Sequence, residues 1–230
     1  LRFQPILMFI RKLLNSGRLG EMRTANIQVG QYLPDWRPQS DYREGVSAKK
    51  ELGGGALLEL SHELDYATWL FGMPDHVMCS SGKLSDLEID VEDSACIVLE
   101  YGQNQMKKRV VVQLDFLQRV ANMSVQVVGS EATLYVDLIK EKAYIIAPEQ
   151  EAAEYLVCPQ LEEGNEVYLR QFDFFFSRSF TDYQPRFDES DNFNEHVDLD
   201  YASQVLKLVD VAKESSRLGS RIKLMEPPVG

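Results

Sequence analysis

The chain has 230 residues, 44% of them hydrophobic, which is enough for one large core in a single domain or a domain with appendages. Its formal net charge of −12 argues against nucleic acid and anionic membrane as partners, and no stretch is apolar for long enough to span a bilayer. Cys79, Cys96 and Cys158 are odd in number and widely spaced, which suits buried free thiols in a reducing cytoplasm better than disulfides. With no signal-peptide pattern, a cytoplasmic location is expected.

In chain order, Ile6, Leu7, Ile10, Leu13 and Leu14 give helical periodicity over residues 3–16, closed by Gly17. Residues 23–33 then alternate, with Ala25, Ile27, Val29 and Leu33 on one face, as a half-buried strand does. Residues 34–52 read as a long loop carrying Pro34, Pro38 and Gly45, and loops of that length are usually functional or disordered. Gly53-Gly54-Gly55 opens a second helical pattern that stops at Gly72, a good capping residue. Beyond Pro74 the period becomes two, and strands are expected at 77–84, 94–101, 109–116, 124–128, 133–138 and 143–146. An acidic, irregular stretch follows, with a short strand at 155–158. Helices are expected over residues 165–180 and from Leu199 to near Gly219, then an edge strand at 221–224. Short connections between strands imply mostly antiparallel pairing. The expected fold is α+β: a large, mostly antiparallel (mixed) open β-sheet with helices packed on one face.

The helix after the glycines carries the chemistry. Leu57, Leu60, Leu64, Ala67 and Phe71 form one apolar stripe, and His62 lies opposite, with Leu58, Glu59, Asp65, Tyr66 and Trp69. An imidazole titrating near neutrality suits a general acid/base. The bland alternative is a structural or loop-capping histidine. Glu59 and Asp65, one turn before and after His62, can orient its ring, hold its charge or bind substrate, or can simply be a solvated face. Arg37, Arg43, Lys49 and Lys50 cluster in the loop with Trp36 and Tyr42 between them. That mixture suits a phosphate-bearing ligand, and solvation of a charged loop is the competing reading. Arginine ranks above lysine for this role because its fork binds phosphate bidentately. Phe172, Phe174, Phe175, Phe176 and Phe180 are read as core. Tyr168 and Arg170 are candidate substrate contacts by position, and His76 and His196 have no recognisable partners. No spacing of His, Cys or carboxylates supports a metal.

The stretch Gly53-Gly54-Gly55-Ala56-Leu57-Leu58-Glu59-Leu60-Ser61-His62-Glu63-Leu64-Asp65 resembles the G-G-G-x-L-x-D-x-x-x-H-x-x-D helix of the glucose–fructose oxidoreductase / inositol dehydrogenase (Gfo/Idh/MocA) family. His62 and Asp65 match its H-x-x-D. At the acidic position four residues before the histidine stands Leu58, with Glu59 one residue on. The form Glu59–Tyr66 resembles a branch found in surface-polysaccharide pathways. Leu1-Arg2-Phe3-Gln4-Pro5 is similar to the segment that follows the family's dinucleotide-binding domain.

The resemblance implies a catalytic His62. It implies substrate contacts from Glu59, Asp65, Tyr66, Arg43 and Lys50, and cofactor contacts from Trp36 and Arg37. Residues 1–230 are then the C-terminal substrate-binding and oligomerisation domain of a two-domain oxidoreductase whose N-terminal Rossmann half is absent. NAD or NADP is bound mainly by that missing half, the substrate is a sugar or sugar derivative, and a homo-oligomer forms through the open sheet face. Neither the phosphate-binding glycine turn nor the lysine of the family's E-K-P segment occurs here. By resemblance that lysine shares the proton work with His62, so the fragment alone is expected to be inactive. The alternative is a non-enzymatic binding or assembly module built on the same sheet.

Overall fold

The computed structural model describes residues 1–102, 107–148, 152–159, 165–180, 182, 184 and 199–224. Nine strands among them pair into one sheet: β1 Met22–Gly30, β2 His76–Gly82, β3 Ser94–Tyr101, β4 Lys108–Asp115, β5 Asn122–Gly129, β6 Thr133–Asp137, β7 Lys142–Ile146, β8 Glu154–Leu156 and β9 Ile222–Lys223. Their spatial order is β8-β7-β6-β5-β1-β4-β3-β2-β9. The pair β1/β4 is parallel and the others are antiparallel. The sheet is therefore mixed and open, as the α+β reading expected.

Alternation sends one set of side chains inward. Ala25, Ile27 and Val29 of β1 lie beside Val110, Val112 and Leu114 of β4, all buried, and β3 and β5 continue the layer. Each large aliphatic side chain buried this way contributes about 1.5–3 kcal/mol. Helices α1 Pro5–Asn15, α2 Ala56–Glu59, α3 Ser61–Phe71 and α5 Leu199–Leu218 bury their apolar residues in this core, and α4 Glu166–Ser179 meets it at Phe3. Helix α1 buries Ile6, Leu7, Ile10 and Leu13. Helix α5 buries Val205, Leu208, Val209 and Ala212, and it is pinned to β2 where Ser215 Oγ accepts from the Cys79 amide at 2.9 Å.

The opposite face carries one cross-strand row, read in register as Met78, Val98, Val111, Asn26, Gln126, Tyr135, Tyr144 and Tyr155. Asn26 donates to Gln126 at 3.1 Å, and the Tyr135 and Tyr144 rings stack at 4.9 Å.

Five details differ from the sequence expectation. Strand β1 ends at Gly30, and Leu33 instead opens a 3₁₀ turn, Leu33–Asp35, because Pro34 has no amide to extend the ladder. The loop to Leu52 is not structureless: it carries four such turns. The glycine-led helix is two helices, broken at Leu60, whose φ of −100° and ψ of 22° leave the helical range. Finally, Phe172, Phe175 and Phe180 are more than half exposed and are not core, and Cys96 is an exposed free thiol on the open face. The phenylalanines of α4 pack on one another, with Phe174 edge-on to Phe3 at 5.3 Å.

Candidate functional site

The three glycines build a tight backbone crossing. Gly53 and Gly55 take φ of +81° and +105°, a region that favours glycine. A Cβ on Gly54 would lie 2.4 Å from the Val46 carbonyl oxygen, so the chain passes against the 46–49 backbone with no room for a side chain. The amides of Gly54 and Gly55 donate to the Lys49 and Ser47 carbonyls at 2.9 and 3.1 Å. These N–H groups are consumed inside the loop and do not form a phosphate cradle. The carboxylate of Glu92 then caps α2, accepting from the Leu57 amide at 3.1 Å.

Past the break at Leu60, α3 buries more than its apolar stripe. Glu63 and Tyr66 are fully buried, and Thr68 and Trp69 nearly so. The face opposite the stripe is thus covered rather than open, and the cover is the N-terminal segment together with α1 and α5. Arg2 Nε donates to Asp65 Oδ2 at 2.8 Å, and its Nη2 pairs with Oδ1, making a fork on the carboxylate. The same guanidinium lies 4.3 Å from the centre of the Tyr201 ring, and Tyr201 donates to Thr68 Oγ1 at 2.7 Å. Arg11 lies over Trp69 at 4.4 Å. Asp65 therefore holds Arg2 rather than His62.

His62 is exposed at the head of α3, its side chain 45% accessible. Its neighbour is Glu63, whose Oε1 lies 3.2 Å from His62 Nε2. Burial, then the Glu63 charge, pushes the Tyr66 phenol well above its usual pKa. Glu59 is half-buried at the end of α2, separated from His62 by the break.

The basic loop satisfies itself. Arg43 clasps Asp41 at 2.7 to 3.0 Å and reaches Glu88 at 2.9 Å. These bonds hold the Asp41 carboxyl down at about 2. Lys49 pairs with Glu44 at 2.7 Å. Arg37 and Lys50 are exposed and, among the described residues, make no ion pair. Trp36 is half-buried, its Nε1 donating to the Gln31 carbonyl at 3.2 Å and its ring edge-on to Phe116. Tyr168 is exposed on α4, and His196 lies outside the described residues.

The structure thus gathers His62, Asp65 and Tyr66 on α3, and gives Arg43 one partner in its own loop, Asp41, and one between β2 and β3, Glu88. Two residues of the cluster are not evident from the sequence pattern. Arg2 is distant in sequence and carries no local signal. Glu63 carries one: it falls between Leu60 and Tyr66 on the wheel, on the border of the apolar stripe. Among the described residues no group of His, Cys, Asp or Glu is arranged to hold a metal, and no helix is long and apolar enough to cross a membrane.

The fold is shared with solved dehydrogenases. Levoglucosan dehydrogenase in complex with NADH and L-sorbose superposes with a TM-score of 0.74 at 15% identity, over 97% of this chain and 64% of that one. The WlbA dehydrogenase from Bordetella pertussis, in complex with NADH and UDP-GlcNAcA, gives 0.66 at 20% identity, over 98% and 62%. Aldose-aldose oxidoreductase from Caulobacter crescentus, complexed with glycerol, gives 0.73 at 18% identity, over 97% and 62%. The chain spans a little under two thirds of the length of these proteins. Among curated proteins, none matches it significantly. The family model of the GFO/IDH/MocA C-terminal domain matches residues 7–135, more than half of the sequence, and the chain belongs to the Gfo/Idh/MocA family as a C-terminal domain of that kind.

Proposed function

We propose that residues 1–230 are the substrate-binding and oligomerisation domain of a two-domain, NAD(P)-dependent oxidoreductase that acts on a sugar or sugar derivative at a hydroxyl-bearing carbon. The observation that carries this reading is His62. It stands exposed at the head of α3, directly after the glycine crossing, with a carboxylate at 3.2 Å. Oxidation of an alcohol needs a group that takes the hydroxyl proton, and a half-exposed imidazole is suited to that work.

The structural neighbours support the rest by analogy: two are complexes with NADH, and the other ligands are a sugar, a sugar derivative and a polyol. When bound, a nicotinamide supplies the hydride acceptor. This chain offers it little phosphate binding, because the glycine amides are already used. Arg37 fits a role at the cofactor, while Trp36 supports that loop through Phe116. Glu59 and Lys50 are the candidate substrate contacts left open to a ligand. Asp65 and Arg43 are already engaged by Arg2 and by Asp41 and Glu88, and with the buried Tyr66 they would act by holding the site's shape. Free cysteines accord with a cytoplasmic location. On this reading the 230-residue chain alone binds NAD(P) weakly, and micromolar affinity by calorimetric titration would count against it.

The open face supports self-association. Its row of Met78, Val98 and Val111 continuing into three tyrosines offers apolar and aromatic surface that water does not favour.

The test is His62→Ala in the complete enzyme, assayed by NAD(P)H formation with sugars and nucleotide-linked sugars. Turnover should fall by roughly 10²–10⁴-fold with the melting temperature unchanged. Near-normal turnover in a folded variant would make His62 scaffold. A complete protein that self-associates but turns over none of these substrates would favour the assembly module.

A further inference from the structure

The proton transfer proposed for His62 leaves its neighbour unused. Glu63 is fully buried, and among the described residues neither of its oxygens receives a well-aligned hydrogen bond. An ionised carboxylate taken out of water without compensation is costly, so its surroundings have to explain it. Asp65, two residues on, is already clasped by Arg2. The groups that face Glu63 are the Leu1 amino group, the Tyr66 phenol one turn further along α3, and His62 Nε2 at 3.2 Å. Tyr66 is itself fully buried, and its hydroxyl has no well-aligned partner. The one ion pair that Glu63 makes among the described residues is with His62.

We infer that Glu63 is the positioning residue for His62: it holds the ring by Nε2, so that Nδ1 is the atom left to take the substrate's hydroxyl proton. The contact is not a well-aligned hydrogen bond, and the carboxylate acts by its charge: at 3.2 Å from Nε2 it favours the neutral ring that carries its proton on that nitrogen. Nδ1 then keeps its lone pair. In the forward step the substrate O–H bond breaks and an N–H bond forms at Nδ1. Nε2 keeps its proton, and none passes to Glu63. The imidazolium so formed lies against a buried negative charge, where attraction is stronger than in water. The exposed ring thus draws its orientation from a residue that the substrate never touches.

This inference rests on the reading of His62 as the acid/base, and the experiment separates the two. The chain has three histidines, so imidazole ¹⁵N NMR of the 230-residue chain is readily assigned with His76→Gln and His196→Gln. At a pH where the ring is neutral, His62 should be the Nε2–H tautomer. Glu63→Leu should relax the tautomer ratio to that of a free imidazole, which favours Nε2–H only modestly, and Glu63→Gln, which keeps an oxygen but no charge, should fall between the two. In the complete enzyme both variants should lower kcat by about 10-fold or more, with KM little changed, a part of the ~10²–10⁴ assigned to the acid–base step. Both substitutions remove a buried charge rather than core volume, so the melting temperature should hold or rise. A wild-type ring protonated at Nδ1, or a tautomer ratio that Glu63→Leu leaves unchanged, overturns the inference. If His62→Ala leaves turnover near normal, the acid–base reading falls, and the tautomer measurement still decides whether Glu63 holds the ring. If His62→Ala removes turnover while the tautomer ignores Glu63, only the inference falls.

Discussion

Two clusters of charge in this chain follow opposite rules. The loop of residues 41–50 is dense in ionic groups, and they face water. Arg43, 48% exposed, clasps Asp41 and Glu88, and Lys49 takes Glu44. Such pairs shape a loop but contribute little to stability, because water and salt screen them. The head of α3 holds fewer charges, and they are drawn inward: Arg2 is 5% exposed on Asp65, and Glu63 is fully buried. There each unpaired group carries a penalty, so each partner matters. The density of charge in a sequence says where loops are; burial decides where charge has consequences.

The largest effect should come from breaking the buried fork. Arg2→Met leaves the Asp65 carboxylate without its partner and removes the cation from the Tyr201 ring. Discounted for the partial exposure of Asp65, the loss should be about 2–4 kcal/mol. By denaturant or thermal unfolding that is a fall of roughly 5–10 °C in Tm. The double variant with Asp65→Asn should recover part of it, since the stranded charge is gone. An effect no larger than that of Arg43→Ala would erase the distinction between the two clusters.

Next in size is the glycine crossing. Gly54→Ala drives a methyl group against the Val46, Ser47 and Lys49 carbonyls and should cost about 2–3 kcal/mol. Gly53→Ala meets no neighbour within 4 Å and pays for its positive φ alone, about 1 kcal/mol. Equal losses would mean that close approach is not what requires glycine at residue 54.

The sheet was legible because alternation is a strong signal: Ser94–Tyr101 stands where the period of two places it, and its neighbours shift by a residue or two. The core stripe of Leu57, Leu60, Leu64, Ala67 and Phe71 also stands, all of it buried. What a helical wheel misses is phase and cover. It treats residues 56–71 as one helix, whereas the break at Leu60 separates Glu59 from His62. It places Tyr66 and Trp69 opposite the core and assumes water there, although α5 and the N-terminal segment lie over that face. The aromatic run of α4 fails for the converse reason. Hydrophobicity suggested burial, yet Phe172 and Phe175 stay more than half exposed, each set against the Phe176 ring of the same helix.

A neutral pair shows the same dependence on burial. Cys79 is buried, and its thiol is pushed up to about 12, by desolvation first and then by the nearby Cys96. Cys96 is exposed on the open face, and its thiol is raised by desolvation too. In the native chain a maleimide should label Cys96 first, with Cys79 and Cys158 reacting only in denaturant. If the open face is the surface of self-association, labelling of Cys96 should slow as protein concentration rises. Rapid labelling of Cys79 in native buffer would contradict its burial.

The smallest effect belongs to the exposed fork. Hydrogen bonds from Arg43 hold the Asp41 carboxyl at about 2, against an ordinary value of 3.8. A carboxylate whose pKa is lower in the folded chain than in the unfolded one binds protons more readily when unfolded. Its contribution is therefore complete above the ordinary value and is lost as pH falls through about 2. Both partners are exposed to solvent, so the shift should convert to little stability. Asp41→Asn should differ from the parent by less than about 2 °C in Tm above pH ~4, with the gap closing between pH ~4 and ~2 and shrinking at molar salt. The comparison with Arg2→Met is the point of the measurement, because both remove one arm of an arginine–carboxylate fork. A Tm difference for Asp41→Asn that matches Arg2→Met, persists in molar salt and ignores pH would show that the loop's charges are stabilising in their own right, and that exposure is not what separates the two clusters.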